Sequence, residues 1–147
     1  MAFLNAMNIS ASGLTAQRAR MDVIAENISN SGTTRTESGD PYRRRMVVFE
    51  PRTQGGFGEI FSKTAKGGRA DQQGVVVSEI IEDETPFKSV YDPTHPDADE
   101  RGYVMMPNVD LLKETLDGME ASRAYDANVT AFNAIKAMAT KGLEVGK

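Results

Sequence analysis

A stripe of apolar residues at heptad spacing runs through the first thirty residues and constrains the fold more than any other feature. Met7, Leu14, Met21 and Ile28 follow one another at intervals of seven residues, and Leu4 lies on a neighbouring row. A period near 3.5 residues is typical of a helix that packs lengthwise against another helix. The pattern therefore predicts an N-terminal helix that needs a helical partner.

A second long helix is predicted at the other end of the chain, from Val109 to Lys141. Pro107 precedes it, Asn108 is a favourable N-cap residue, and the charge of Asp110 suits the positive end of the helix dipole. At about 1.5 Å per residue this helix would be roughly 50 Å long, more than a thin β-rich region can cover. The two ends of the chain are therefore expected to pair as an antiparallel, coiled-coil-like hairpin, with apolar surface left for other chains.

The middle of the chain has the composition of short strands and turns. The segment "YRRRMVVFE", residues 42–50, alternates two sets of side chains, and "GVVVSEIIED", residues 74–83, has the pattern of a second strand. The expected fold class is α+β. Its helical domain would be discontinuous, residues 1–32 and 107–147, and residues 33–106 would form a β-rich insert with an extended connecting strap.

Composition and charge argue against several classes of protein. A formal net charge of −4 disfavours bulk attraction to nucleic acid or anionic lipid, and 0 Cys excludes a disulfide framework and a thiol nucleophile. Neither a cleavable secretory signal nor an apolar run of about 20 residues is visible, so no direct membrane insertion is expected. No cofactor is expected either.

The one basic cluster is Arg43-Arg44-Arg45. A nucleic-acid footprint normally needs more than three cations, since its affinity comes from many phosphate contacts. The cluster is therefore interpreted as the exposed face and edge of a strand rather than as a phosphate site.

The only histidine, His95, lies in the acidic segment "YDPTHPDADERGYVMMPNVD", residues 91–110. A metal site or an acid–base pair would be possible, but the segment offers no second histidine and no nucleophile motif, and its prolines favour extended backbone. We expect a structural strap that leads the chain back to the second helix, with no catalytic, metal or cofactor residue. Its structural residues are Tyr91, Pro93, His95, Pro96, Tyr103 and Pro107.

The apolar residues of the two helices are expected to form seams, at least half of them between subunits, because two helices alone bury only one stripe each. They are Leu4, Met7, Leu14, Met21, Ile24, Ile28, Leu112, Leu116, Met119, Phe132, Ile135 and Met138. The alternative is that all of them are internal to one hairpin. Four asparagines are candidates for interhelical hydrogen bonds that fix the register, or else for caps or exposed amides. These are Asn27, Asn30, Asn128 and Asn133.

Four segments resemble flagellar basal-body rod proteins, among them "PYRRRMVVFE", residues 41–50, which is similar to that family's first strand. The string "VYDPTHPDADERGYVMMPNVD", residues 90–110, is similar to that family's signature, and "RAYDANVTAFNAIK", residues 123–136, is similar to its C-terminal helix. The segment "ISASGLTAQRARMDVIAENISN", residues 9–30, resembles the opening shared by rod and hook proteins.

The resemblance implies a structural subunit of the proximal rod, whose terminal helices polymerise into the axial drive shaft and export channel between the membrane ring and the distal rod. The implied partners are further copies of the chain, other proximal and distal rod proteins, the adaptor between membrane ring and rod, and the flagellar type III export apparatus. The implied location is the basal body, in the periplasm and cell wall, reached without signal cleavage.

Two other functions stay open on the residues alone. An enzyme that uses the strap's carboxylates and His95 would have a concave pocket with converging titratable groups. A soluble coiled-coil adaptor or chaperone of the flagellar export system would instead form a stable small oligomer.

Overall fold

The structure is a computed structural model that describes residues 2–53, Phe61 and residues 72–145. In chain order the elements are α1 (Ala2–Ser29), β1 (Arg45–Thr53), β2 (Gln72–Glu82), β3 (Lys88–Tyr91), β4 (Tyr103–Met106) and α2 (Leu111–Val145). The strands form two two-stranded sheets, one of β1 with β2 and one of β3 with β4. Two long terminal helices with a small β-rich region between them confirm the α+β class.

The chain divides into two compact units, each assembled from separate stretches. The first unit comprises Met1–Arg18, Phe49–Ser78 and Arg123–Lys147, and the second comprises Ala19–Val48 and Glu79–Ser122. Each unit therefore contains part of both helices. The division at residues 32 and 107 expected from the sequence stays a prediction.

In the second unit, β3 and β4 form an antiparallel hairpin with Lys88 opposite Met106 and Tyr91 opposite Tyr103. The core of this unit is small and includes Val23, Val104 and Ala121. Gly118 of α2 faces Ile24 of α1, where a Cβ on the glycine would lie 3.6 Å from the Ile24 Cγ2 atom. Small residues on α2 thus let α1 approach closely.

Asn30 closes the last turn of α1. Its backbone N–H and its side-chain Nδ2 both donate to the Glu26 carbonyl at 3.0 Å, and the Ser31 N–H donates to the Ile28 carbonyl at 3.2 Å. These bonds satisfy carbonyls that a helix C-terminus would otherwise leave without partners. Asn30 therefore caps its own helix, and α1 ends at Ser29.

The start of α2 differs from the sequence-based expectation. The helix begins at Leu111, and the Asp110 carboxylate accepts the Leu112 N–H at 3.0 Å, so Asp110 is the N-cap. The prediction that Asn108 caps the helix is wrong. The Asn108 amide is buried and bonds to other segments, because its carbonyl oxygen accepts the Arg44 N–H at 2.8 Å and its Nδ2 donates to the Asp83 carbonyl at 3.0 Å.

In the first unit, β2 lies against α1 at Gly74. This glycine has φ +98, and a Cβ there would overlap the Ser12 hydroxyl oxygen. That hydroxyl accepts the Val75 N–H at 3.0 Å and donates to the Ile9 carbonyl at 2.7 Å. The position therefore requires glycine for two reasons, backbone conformation and space.

Gly74→Ala is expected to lower the free energy of unfolding by about 3 kcal/mol, because the left-handed backbone costs an alanine about 1–2 kcal/mol and the added methyl group displaces Ser12. Urea unfolding of the purified chain measures the loss. Gly39→Ala is the matched control, since Gly39 has φ +91 but open space around it. Equal losses for the two variants would contradict the contact between Gly74 and Ser12.

Candidate functional site: a buried polar cluster and an exposed helix face

Glu114 of α2 is the most completely buried charged residue of the described chain, with 0% exposure. One carboxylate oxygen accepts Arg44 Nε at 2.5 Å and the other accepts Asn27 Nδ2 at 3.0 Å. The Arg44 guanidinium also donates to Asp117 at 3.2 Å and lies 3.7 Å from the Asp83 carboxylate. The buried Glu114 carboxylate therefore has both a cationic partner and hydrogen bonds to each of its oxygens.

Asn27 fastens the beginning of β1 to α1. It is 1% exposed, its Oδ1 accepts the Arg45 N–H at 2.9 Å, and its Nδ2 donates to the Arg45 carbonyl at 2.8 Å. The amide thus pairs with both backbone groups of Arg45, as a neighbouring strand would. The Tyr42 hydroxyl donates to the same Oδ1 at 3.0 Å.

These contacts define a buried polar cluster. It consists of Asn27, Tyr42, Arg44, Asn108 and Glu114. Its members come from α1, from the segment that enters β1, from the end of the strap and from α2. The bonds from Arg44 to Asn108, from Arg44 to Glu114 and from Asn27 to Glu114 span 64, 70 and 87 residues of sequence. The cluster therefore joins parts of the chain that no local pattern connects.

The sequence interpretation of the arginine run is wrong for Arg44. This residue is 8% exposed and carries the charge that balances Glu114, whereas Arg43 stacks over the Phe87 ring at 4.4 Å and Arg45 bonds to Glu26 at 2.7 Å. A strand alternation that puts Tyr42 and Arg44 on one face was the available signal. The alternation predicts that the two side chains lie on the same face of the strand, but it does not predict that this face is buried.

Burial raises the pKa of the Tyr42 phenol above its usual value of 10.0, and the nearby Glu26 carboxylate raises that pKa further. The stability that comes from the neutral phenol is therefore fully present below about pH 10 and is lost as the pH rises through the raised pKa. The pKa of the Asp83 carboxyl is shifted in the opposite direction. The hydrogen bond that this carboxyl accepts from the Thr85 N–H lowers its pKa below the usual value.

Tyr42→Phe is expected to lower the free energy of unfolding at neutral pH by about 1 kcal/mol, the usual net value of one buried hydrogen bond. The alkaline fall in stability should be shallower in this variant than in the unmodified chain. Urea unfolding measured from neutral to strongly alkaline pH checks both points. An identical alkaline fall in the two proteins would contradict the raised pKa of Tyr42.

Three apolar residues of α2 that were predicted to lie at seams are exposed to solvent. Leu112, Leu116 and Met119 are 72%, 55% and 49% exposed, and we call them the exposed apolar face. The covered side of α2 in this unit carries Glu114 and Ala121 instead, both at 0%. The stripe of larger apolar side chains thus faces outward, whereas Glu114 and the small Ala121 face inward.

The predicted seam residues of α1 divide in a similar way. Ile24 is buried, Met7, Leu14 and Met21 are half-buried, and Leu4 and Ile28 are exposed. The most covered line instead runs through residues offset from the heptad row, which are Ala16, Val23, Ile24 and Asn27. The heptad row therefore lies along the edge of the covered face.

In the C-terminal part of α2, Phe132 and Ile135 are half-buried, whereas Asn133 and Met138 are exposed. Asn128 donates to the Ala124 carbonyl of its own helix at 2.8 Å. Its side chain packs against Gly13 of α1, where a Cβ would lie 2.8 Å from the Asn128 Oδ1 atom.

Of the four candidate asparagines, Asn27 has an interhelical hydrogen bond, which it donates to Glu114. Asn30 caps its own helix.

The strap is a hairpin with turns between its strands. The Tyr91 and Tyr103 rings meet edge to face at 5.2 Å, and Pro107 is fully buried. Pro93 and Pro96 stand in turns rather than in extended backbone, and between them the His95 Nδ1 atom accepts the Asp97 N–H at 3.1 Å. His95 is thus bound to the turn that contains it.

A groove of about 670 Å³ lies between this hairpin and the loop 34–41. Two of its carboxylates already have partners, since Asp97 accepts the Thr34 side-chain hydroxyl of the facing loop at 2.7 Å and Asp99 accepts the local Tyr103 backbone N–H at 2.8 Å. Among the described residues, no group of three or more His, Asp or Glu side chains is placed to hold a metal ion. Within the same residues, no helix is both long enough and apolar enough to cross a membrane.

These features define a class of protein whose polar groups hold distant segments together and whose helices display apolar side chains for contact with other molecules. Comparison with known families agrees with this class. The model of the flagella basal body rod protein family matches residues 7–35, and that of the C-terminal region of flagellar basal body rod FlgEFG proteins matches residues 100–145.

Relatives that match over their full length identify one family among the flagellar rod proteins. The flagellar basal-body rod protein FlgC of Bacillus subtilis is 48% identical, with 100% of each chain covered. Those of Borreliella burgdorferi and Escherichia coli are each 42% identical, with 98% or more of each chain covered. The chain therefore belongs to the FlgC family of flagellar basal-body rod proteins. It is a structural protein of the bacterial basal body and not an enzyme.

Proposed function

We propose that the chain is a subunit of the proximal rod and polymerises through its terminal helices into the axial drive shaft and export channel. The observation that carries the proposal is the exposed apolar face of α2, since the described residues of the protomer leave about half or more of each Leu112, Leu116 and Met119 side chain exposed. Leu4 and Ile28 of α1 are also exposed. Neighbouring subunits would cover these side chains.

Within one protomer, α1 and α2 pair antiparallel in a coiled-coil-like manner. Two contacts in the second unit support this arrangement. Arg20 lies 3.9 Å from Glu120, and Asn27 donates to Glu114 at 3.0 Å, so the residue number on α2 falls as the number on α1 rises. Residues 1–32 and 107–147 would then form the inner tube of the rod, and residues 33–106 would face outward.

Assembly depends on contact surfaces of neighbouring subunits, which are available only at the growing end of the rod. Helices with few internal contacts are marginal in water, so contacts with neighbouring subunits stabilise them as the subunit docks. Once many helices interlock, torque is carried as shear across packed apolar ridges. The partners are further copies, other proximal and distal rod proteins and the adaptor at the membrane ring, and the chain reaches them through the flagellar type III export apparatus.

Imaging of purified basal bodies that carry a tagged copy of the chain tests the proposal. We expect the tag in the proximal rod, between the membrane ring and the distal rod. A chain that is absent from basal bodies and is recovered as a small soluble oligomer would favour an adaptor or chaperone of the export system instead.

A further inference from the structure

At the centre of the buried polar cluster, Glu114 and Arg44 form hydrogen bonds with residues from other segments of the chain. Glu114 receives Arg44 on one oxygen and Asn27 on the other, and Arg44 in turn donates its backbone N–H to Asn108. Each of these bonds holds only within a narrow range of donor–acceptor distances, typically about 2.7–3.2 Å. The cluster can therefore form in a single alignment of α1, α2 and the segment that enters β1.

The apolar contacts between the helices discriminate less between alignments. Along α2 in this unit the covered positions include Gly118 beside Ile24 and the fully buried Ala121. Such small side chains leave a smooth surface on which α1 could slide by one turn, about 5.4 Å, with similar apolar contact. The same slip would part Glu114 from both of its partners and leave a buried charge without compensation, which is strongly unfavourable.

The same bonds also fix the rotation of α2 about its axis. At about 100° per residue, Leu112 and Leu116 lie roughly 160° from Glu114 around the helix, and Met119 lies roughly 140° from it. Holding Glu114 inward therefore turns the exposed apolar face outward. If Glu114 were free to leave its site, the leucine stripe could turn inward and be lost as a surface for assembly.

We infer that the buried polar cluster is a register lock, in which Arg44 and Glu114 position α2 against α1 so that Leu112, Leu116 and Met119 are presented to neighbouring subunits. Net stability does not require the buried charges, because replacing a buried ion pair by well-packed apolar residues of similar volume is often neutral or stabilising. The part of this inference that concerns assembly rests on the proposed function. The part that concerns register holds for the isolated chain.

The double variant Arg44→Met with Glu114→Leu tests the lock. The chain contains 0 Cys, so two introduced cysteines give an unambiguous disulfide. Ile24→Cys with Gly118→Cys reports the observed register, because a Cβ at position 118 lies 3.6 Å from Ile24 Cγ2. Ile24→Cys with Ser122→Cys reports a slip of one turn, since residue 122 lies about 6 Å further along the helix.

Each cysteine pair is first introduced into the chain without further substitutions. Mild oxidation should then give the 24–118 disulfide in high yield and almost no 24–122 disulfide. In the double variant we expect an unchanged or higher urea midpoint, a yield of the 24–118 disulfide reduced by at least half, and appearance of the 24–122 disulfide. Glu26→Leu with Arg45→Met is the matched control, because that ion pair is half-exposed, and it should leave both yields unchanged.

Three outcomes would overturn the inference. A double variant that keeps the 24–118 yield and forms no slipped disulfide shows that apolar packing alone sets the register. A double variant that fails to fold, or has a much lower urea midpoint, shows that the cluster supplies stability instead. A double variant that forms the slipped disulfide and yet enters the basal body as efficiently as the unmodified chain shows that the register does not control assembly. The Leu116→Asp variant tests the proposed function separately.

Discussion

Replacing Glu114 with alanine is expected to lower the free energy of unfolding by about 3 kcal/mol, because breaking a buried ion pair by removing one partner leaves the other charge poorly compensated. Arg44 is 8% exposed and would lose its closest acceptor, and Asn27 Nδ2 would lose one of its two acceptors. Asp117 and Asp83 remain near the guanidinium and keep the loss at the lower end of the usual range. Urea unfolding followed by circular dichroism measures the effect.

Glu144→Ala is the matched control on the same helix. Glu144 pairs with Lys141 at 2.8 Å, but both side chains are more than half exposed, so the expected loss is within about 0.5 kcal/mol. If the two variants lost the same stability, the buried location of Glu114 would have no energetic consequence and the description of the cluster would fail.

Leu116→Asp is expected to reduce incorporation of the chain into basal bodies at least tenfold, and cells that depend on it should be non-motile. A carboxylate in an apolar seam costs several kcal/mol through desolvation, and each 1.4 kcal/mol is about a factor of ten in an association constant. Since Leu116 is 55% exposed in the protomer, the isolated chain should unfold at nearly the same urea concentration. The amount of the chain in purified basal bodies, by quantitative mass spectrometry, measures incorporation.

Thr115→Asp introduces the same charge one residue away and outside the exposed apolar face. Thr115 is exposed and bonds only to the Leu111 carbonyl of its own helix among the described contacts. We expect near-normal motility for this control. Normal incorporation of Leu116→Asp, or an equal defect in both variants, would show that the face is not a seam.

The secondary structure was largely predictable because it depends on local spacing. The heptad row from Met7 to Ile28 predicted α1, and the strand patterns at 42–50 and 74–83 overlap β1 and β2. The predicted start of α2 was wrong, since two good capping residues stand close together, and the tertiary structure uses Asn108 elsewhere and leaves the cap to Asp110.

The buried polar cluster could not have been predicted in the same way. Arginine and glutamate are almost never fully buried unless paired, so a run of three arginines favoured an exposed strand. The partner that buries Arg44 lies 70 residues away, on a helix whose larger apolar residues suggested a different inward face. Periodicity contains no information on which distant residues meet.

The sequence by itself determined that two long helices flank a β-rich middle, because a period near 3.5 residues and a period of two are properties of neighbouring residues. It also determined the family, through the strings at residues 9–30, 90–110 and 123–136. Only the tertiary structure decided that Glu114 and Ala121 face inward and that the leucine stripe of α2 faces outward. The reason is that burial depends on how closely two helices approach and on which charges find partners, and both are set by contacts between residues far apart in the chain.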